Sequence, residues 1–433
     1  MRFLLMLVSL LCTSFVIVVR CTEEHVLETQ LRGGQRFPLI GLGVGNLQHE
    51  LIESQIMKAM ELQYRLIDTA HASHNEHIIA EAIRKGSRQG LRVTPNLEMH
   101  VVTKVWYTYL GYDRTMIAVR EILEVLNVPN IKIHILLHWP RCRTDISWMD
   151  CEGEEASLPQ AVKDAGPPPH HYKDDAFKDS WRALEDVFIG NVVLDENLPK
   201  VHSIGVSNFD LEDFHALEKS ARITPHILQH NVWVMHYDPY LMTYINEHGI
   251  HFQPYNVMNG IISRSQKFPN VMEALNGVTH HITESNEHLD LTHSQVLLKW
   301  ITQQNCSVIP RTSNPNHLLE MSPEKIAAIR DLGHHELRNV YDIVGHVLAG
   351  QDFPDPAEIQ FVNKLGSILH FFWWNEEENK EVPVKVLAPG ESWDTLTETG
   401  HRFVVYNEER THSREFDIEG HHEVIDVDEL HEL

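Results

Sequence analysis

The sequence predicts an α/β protein: a (β/α)8 TIM barrel followed by a small all-β, sandwich-like module at its C-terminal side. Three observations carry this. Eight strand-like runs alternate with helical patterns between residues 38 and 321. Four consecutive strands end on unusual polar residues: Asp68, Lys104, His138 and the pair Ser207-Asn208. After Leu332 the alternation gives way to short β-like runs.

The strand-like runs cover residues 38–44, 65–69, 99–106, 131–138, 201–207, 226–234, 251–257 and 307–311. Helical patterns lie between and after them at 51–62, 75–85, 113–126, 177–188, 211–220, 239–248, 292–303 and 316–321. Eight such units in series imply parallel strands joined by crossover helices, and closure into a barrel satisfies every strand edge. The alternative is an open doubly wound sheet. Its dinucleotide fingerprint is absent, because Gly41-x-Gly43-x-Gly45 lacks the required continuation. A long insertion, residues 141–175, follows the fourth strand and contains Pro167-Pro168-Pro169. It is expected to rise from the C-terminal face of the barrel, where active-site loops lie.

The barrel unit is expected to run over residues 24–345 and a linker over 346–366. A β module is expected over 367–410, with the turn Ala388-Pro389-Gly390-Glu391 inside it. Residues 411–433 read as an acidic tail that frays.

The formal charge of −25 excludes non-specific nucleic-acid binding, which needs a basic face. Met1-Arg2 and the apolar run from Phe3 to Val19 read as a cleaved signal peptide, residues 1–21, with Val19-Arg20-Cys21 at the cleavage site, ahead of an uncleaved anchor, since the run is at the lower limit for a transmembrane helix. No other segment is apolar enough to span a bilayer. The expected location is the endoplasmic reticulum lumen or the exterior. The terminal His431-Glu432-Leu433 is similar to the luminal retention tetrapeptides. In such a compartment Cys142 and Cys151 are either a disulfide or two free thiols. Asn305-Cys306-Ser307 is a glycosylation sequon by pattern, but it enters the eighth strand. No metal-ligand cysteine spacing is present, and the 31 scattered histidines read as surface residues rather than a zinc site.

Polar groups at the same end of four adjacent barrel strands converge on one pocket. The residues around them are Asp68-Thr69-Ala70 with Asn75-Glu76, Thr103-Lys104, Leu137-His138-Trp139-Pro140, Gly205-Val206-Ser207-Asn208 and Val308-Ile309-Pro310-Arg311-Thr312. In these motifs, over residues 28–332, the chain resembles the aldo-keto reductases. The resemblance implies NADPH-dependent reduction of an aldehyde or ketone. In that family a Tyr donates the proton, a Lys paired to an Asp lowers its pKa, and a His orients the carbonyl. Asp68, Lys104 and His138 take the last three roles. Ser73 stands where the family has its Tyr, and a Ser hydroxyl is a far weaker acid. His74, Tyr107, Tyr109 or a water held by Ser73, Lys104 and His138 are the alternative donors.

The same resemblance places Gly43, Val44 and Gly45 under the nicotinamide ribose and Ser207, Asn208 and Gln229 at the carboxamide. Tyr255 matches the aromatic that stacks on the nicotinamide ring. Arg311 and Thr312 match the site of the 2′-phosphate, while His317 replaces a further family Arg. NADP(H) is the expected cofactor, with NAD(H) second. Trp106, Trp139 and Trp148 either rim the substrate pocket or lie buried under the insertion.

Phe371-Phe372-Trp373-Trp374, Leu387-Ala388-Pro389-Gly390-Glu391-Ser392 and Gly400-His401 resemble the β domain of the von Hippel–Lindau tumour suppressor, over residues 367–407. That domain reads hydroxyproline in a partner. By position Trp374 and His401 match pocket residues, Thr397 stands for a Ser, Phe403 for a Trp and Val384 for a Tyr. The Val384 change removes a polar contact, which points to a generic protein-binding or packing role, or to a structural cap. Two functions follow: a carbonyl reductase acting on a small molecule, or a cofactor-binding scaffold that engages a protein partner through the module.

Overall fold

The computed structural model describes residues 27–91, 98–171, 176–286, 289–353, 356–375, 380–398, 401–419 and 422–432. The expected signal peptide, with Cys12 and Cys21, lies outside them, as do Gly400 and Leu433. The chain divides into two units: Met1–Arg264 with Leu275–Leu348, and Ser265–Ala274 with Ala349–Leu433.

The first unit is the expected barrel. An antiparallel hairpin, β1 (Glu28–Gln30) and β2 (Arg36–Pro38), precedes it. Seven parallel strands follow in sequential order: β3 (Leu42–Gly43), β4 (Leu66–Asp68), β5 (Met99–Val105), β6 (Ile131–Leu137), β7 (Val201–Ser207), β8 (Ile227–Asn231) and β9 (His251–Tyr255). The eighth staves in through hydrogen bonds rather than a full strand. Ser307 N donates to Phe252 O on one side at 3.2 Å. On the other, Val308 N donates to Leu39 O at 2.8 Å and Gly43 N donates to Pro310 O at 3.1 Å. That segment joins the two sheet edges and closes the ring, so no edge is left unpaired.

Leu66, Val102, Leu136, Ile227 and Ile309 fill the interior. Gly205 is required there: a Cβ on it would lie 2.5 Å from Ile227 O and 2.6 Å from Leu136 Cδ2. The floor of the barrel departs from expectation. His100, His134, His226 and His251 are buried rather than exposed. His100 and His134 stack, with Nδ1 and Nε2 3.0 Å apart, and His134 Nδ1 lies 2.7 Å from Ser203 Oγ. Phe37, brought in by β2, sets its ring edge-on against His100, His134 and His251. Ser307 Oγ, in the Asn305 sequon, is buried and bonded to His251 and Gln253.

The expected helices are present, several with clear start signals. Asp210 and Thr292 each form a reciprocal capping box with the residue three positions on. Besides short helices such as Cys151–Ser157 and Pro323–Ala328, two long ones escape the sequence reading, Pro269–Glu284 and His334–Ala349. The second occupies the start of the segment read as linker. Among the described residues no helix is long and apolar enough to cross a membrane. None of their histidine, cysteine or carboxylate groups clusters in a way that would hold a metal ion.

The second unit is a two-sheet β sandwich. Its strands are β10 (Pro356–Asn363), β11 (Leu369–Asn375), β12 (Lys380–Leu387), β13 (Ser392–Glu398), β14 (Arg402–Asn407), β15 (His412–Asp417), β16 (His422–Val427) and β17 (His431–Glu432). One sheet has the order β13-β10-β16 and the other β12-β11-β14-β15-β17. The unit therefore begins inside the expected linker and continues through the expected acidic tail. Charge hid the strand pattern there: Phe416, Ile418 and Val427 turn into the core between exposed acids. Phe361 is fully buried at the centre, with ring centroids of Phe371, Phe403, Trp393 and Phe416 5.1–5.9 Å away. Phe361→Ala is expected to destabilise this unit by about 3–5 kcal/mol, measured as an earlier chemical-denaturation transition.

Candidate active site

Period-two alternation on β5 aims the site. Thr103 turns outward, where its hydroxyl donates to Glu76 Oε1 at 3.0 Å, and Lys104 turns into the barrel mouth. Lys104 is almost fully buried. Its Nζ donates to Asp68 Oδ1 at 2.8 Å and to Thr69 O at 2.6 Å. A buried ammonium is tolerated only with such partners. Gln229 on β8 adds to the network: its Nε2 donates to Asp68 Oδ1 and to Gln253 Oε1, both at 2.7 Å. His138 follows β6, with Trp106 edge-on to its ring at 4.8 Å. Burial, and then the charge of Lys104, hold its imidazole well below the usual pKa, so it is neutral at physiological pH. His138 Nδ1 is buried with no hydrogen-bond partner among the described residues.

These residues line one cavity of about 830 Å3 at the C-terminal end of the strands. Gly43, Gly45, Asp68, Ser73, Lys104, His138, Ser207, Asn208, Gln229, Tyr255 and Arg311 all face it. So do Trp106 and Trp139, which are half-buried, and Trp148, which is exposed. Two expected site residues do not reach it. Val44 is fully buried, and its carbonyl accepts from Asn75 Nδ2 at 3.1 Å. Thr312 is buried, and its hydroxyl is engaged by Asn314 N at 3.0 Å and His317 Nδ1 at 3.2 Å.

Ser73 closes the short turn His71–Ser73, and a Cβ built on Gly45 would lie 3.3 Å from its Oγ. Of the alternative donors, the three side chains His74, Tyr107 and Tyr109 do not line the cavity. Tyr107 and Tyr109 are buried away from it, and burial raises both phenols, Tyr109 to about 12. His74 takes a left-handed conformation (φ 49°), which turns it toward a separate depression with His71, His77 and Glu121. Among the described residues the one phenol lining the cavity is Tyr255, whose hydroxyl donates to Asn208 Oδ1 at 2.8 Å. The sequence reading missed Asn46 and the stretch Asn256, Val257, Met258 and Asn259, which also line the cavity. The signal was the cluster Asn256-Val257-Met258-Asn259-Gly260 just past a strand end, with Asn256 at φ 62°.

The insertion is anchored beside this mouth. Cys142 and Cys151 form a disulfide, which resolves the open choice between a pair and free thiols. Trp106 Nε1 donates to Glu154 Oε2 at 2.5 Å, and the buried Arg114 holds Glu155 with two bonds of 2.8 Å.

The NAD(P)H-dependent D-xylose reductase I,II of Candida tropicalis is 28% identical to this chain over 307 residues, covering 69% of this chain and 87% of the relative. The NADPH-dependent aldose reductase GRE3 of Saccharomyces cerevisiae is 29% identical over 300 residues, covering 67% and 85%. Among solved structures, the aldose reductase of Schistosoma japonicum superposes with a TM-score of 0.55 at 22% identity, covering 75% of this chain and 96% of that one. A Bombyx mori aldo-keto reductase in complex with NADP gives 0.55 at 21%, covering 73% and 92%. These two likenesses carry the fold. The sequence profile of the Aldo/keto reductase family matches residues 40–322, most of the chain, and the protein belongs to that family.

Proposed function

We propose that the protein reduces an aldehyde or ketone with NADP(H), with NAD(H) as the lesser alternative. The observation that carries this reading is the buried Lys104–Asp68–Gln229 network opening onto the same cavity as neutral His138. The sugar reductases named above support the same reaction class.

The residues present suit a nicotinamide. A primary carboxamide needs one donor for its carbonyl and one acceptor for its NH2 group. Ser207 Oγ accepts from Asn208 Nδ2 at 3.1 Å, which leaves its own hydrogen to donate. Gln229 spends both amide hydrogens on Asp68 and Gln253, which leaves Oε1 to accept. Tyr255 sits beside them with its hydroxyl fixed by Asn208, so its ring offers a steady flat surface. Arg311 is exposed on the cavity wall with no carboxylate partner among the described residues, as a phosphate-binding guanidinium requires. The bound cofactor supplies hydride.

Lys104 has one ammonium hydrogen beyond its two bonds, and neutral His138 offers one ring N–H. Both groups face the cavity, where they stabilise negative charge developing on a carbonyl oxygen. Ser73 brings no usable acid, so the proton comes from water ordered by Ser73, Lys104 and His138. Lys104→Met is expected to lower kcat/KM for aldehydes by about 10²-fold or more, measured as NADPH oxidation at 340 nm. NADPH that binds tightly without any aldehyde being reduced, in wild type and variant alike, would refute the reductase reading.

A second reading is a cofactor-binding scaffold, and the missing phenol favours it. Its partner surface would be the β sandwich. There Trp373, rather than Trp374, lies against His401 at 5.3 Å, and Thr397 Oγ1 is 2.8 Å from His401 Nδ1. Phe403 is in the sandwich core and Val384 is exposed on the edge strand β12, so neither completes a pocket with His401. This supports a generic contact over hydroxyproline reading. We also place the protein in an oxidising secretory compartment, which the Cys142–Cys151 disulfide supports.

A further inference from the structure

We infer that the Cys142–Cys151 disulfide is a thiol-sensitive latch that sets substrate class, because it holds Trp148 as one wall of the substrate cavity. The inference rests on the reductase reading for the identity of the ligand, a carbonyl compound.

Trp148 lies between the two cysteines in sequence, on a turn rather than in a helix or strand. It is 56% exposed, yet it faces the cavity that holds Lys104 and His138. Its ring stacks near Trp106 at 6.2 Å and meets Trp139 edge-on at 5.9 Å. Trp106 in turn covers His138. The three indoles therefore form a continuous apolar surface that ends at the group expected to meet the carbonyl oxygen. Such a surface favours bulky, flat, apolar carbonyl compounds over small polar ones.

An exposed indole on a turn keeps one position only if its ends are fixed. The C-terminal end is fixed without the disulfide. Asp150 caps the helix Cys151–Ser157 by accepting from Gly153 N at 3.0 Å, and Glu154 and Glu155 tie that helix to Trp106 and Arg114. On the other side, Arg141 pairs with Asp213 at 2.5 Å before the turn begins. Within the turn itself, the non-covalent ties are local: the buried Met149, a contact of Arg143 N with its sulfur at 3.2 Å, the Arg143–Asp145 ion pair at 2.6 Å, and the backbone bonds of Ile146 N to Arg143 O and Met149 N to Ile146 O. The disulfide is the covalent tie between the start of the turn and the anchored helix. Cutting it frees the segment carrying Trp148 and leaves the barrel network and the helix anchors in place. Two external thiols reduce the bond to Cys142 and Cys151 thiols and become a disulfide themselves.

The test uses the full protein with NADP+, so that binding is read without turnover. Calorimetry compares 2-naphthaldehyde with DL-glyceraldehyde in wild type, in wild type reduced with dithiothreitol, in Trp148→Ala, in Trp148→Phe and in Cys142→Ser/Cys151→Ser. The expected result is a tenfold or greater weakening for 2-naphthaldehyde in Trp148→Ala, in the double serine variant and in the reduced protein. Trp148→Phe should retain most of the affinity, and glyceraldehyde binding should change less than twofold throughout. Equal naphthaldehyde affinity in wild type and Trp148→Ala overturns the wall, as does a wild type that binds neither aldehyde. Loss in Trp148→Ala with full affinity in the double serine variant overturns the latch. Selective binding that follows this pattern, with no aldehyde reduced when NADPH replaces NADP+, refutes the reductase reading and leaves the latch standing.

Discussion

Ser73→Tyr is expected to raise carbonyl-reduction turnover by about 10²- to 10⁴-fold, the range that a positioned general acid contributes. The site holds every other part of the machinery: an ammonium at Lys104, its counter-ion at Asp68 and a neutral imidazole at His138. Position 73 lies on the same cavity, beside Gly45, where a larger side chain faces a glycine rather than a packed wall. A phenol near Lys104 would be made more acidic by that charge, whereas an alcohol stays far outside the useful range. Steady-state rates over a pH series check this. The variant should show a new ionisation in kcat/KM that the wild type lacks. Unchanged rates, with NADPH affinity retained, would mean that another group already supplies the proton.

The histidine floor leads to the second large effect. Burial drives His100 and His251 down to about 3 and His134 well below the usual imidazole value, and neighbouring positive groups add to it at His100 and His134. Each folded-state pKa is lowered, so the folded protein binds fewer protons than the unfolded chain in acid. Well above pH 6.5 both states are neutral at these rings and nothing is lost. As pH falls from about 6.5 toward 3, the unfolded chain takes up protons that the folded barrel refuses, and stability falls. At pH 5.5, a unit below the unfolded imidazole value, three such rings together cost roughly 4 kcal/mol. Urea denaturation at pH 7.5, 6.5, 5.5 and 5.0 reads this directly. A stability that stays level down to pH 5 would show that the cluster accepts protons without opening.

Much of the site was legible because barrel strands are buried on both faces and read as apolar runs, so a polar residue at a strand's end stands out. Asp68, Lys104, His138 and Asn208 were found in that way. The histidine floor was not, although its residues lie in the same strands. His100 and His134 interrupt apolar runs singly, and only the register, which sets Val102 opposite His134, brings the rings together. Thr312 followed from similarity at a position where the local turn decides otherwise, since its hydroxyl is spent on Asn314 and His317. The helices Pro269–Glu284 and His334–Ala349 carry interior Gly277 and Gly345 with several β-branched residues. Their intrinsic propensity is low, and packing decides them. In the β sandwich the outer strands carry acids on their exposed face, so charge conceals the alternation that buries Phe416 and Val427.

The parallel pairing of β10 with β16 has a consequence for synthesis. β10 is the first strand of the sandwich to leave the ribosome, and its partner on one side is nearly the last. Until β16 emerges, β10 carries an open edge and Phe361 has an incomplete set of neighbours. The barrel's sheet pairs each strand with the one before it and needs only the segment around Val308 to close. The nascent chain thus passes through an interval in which the reductase unit is complete and the appended unit is an unfinished, sticky sheet, exposed to chaperones and to its own copies.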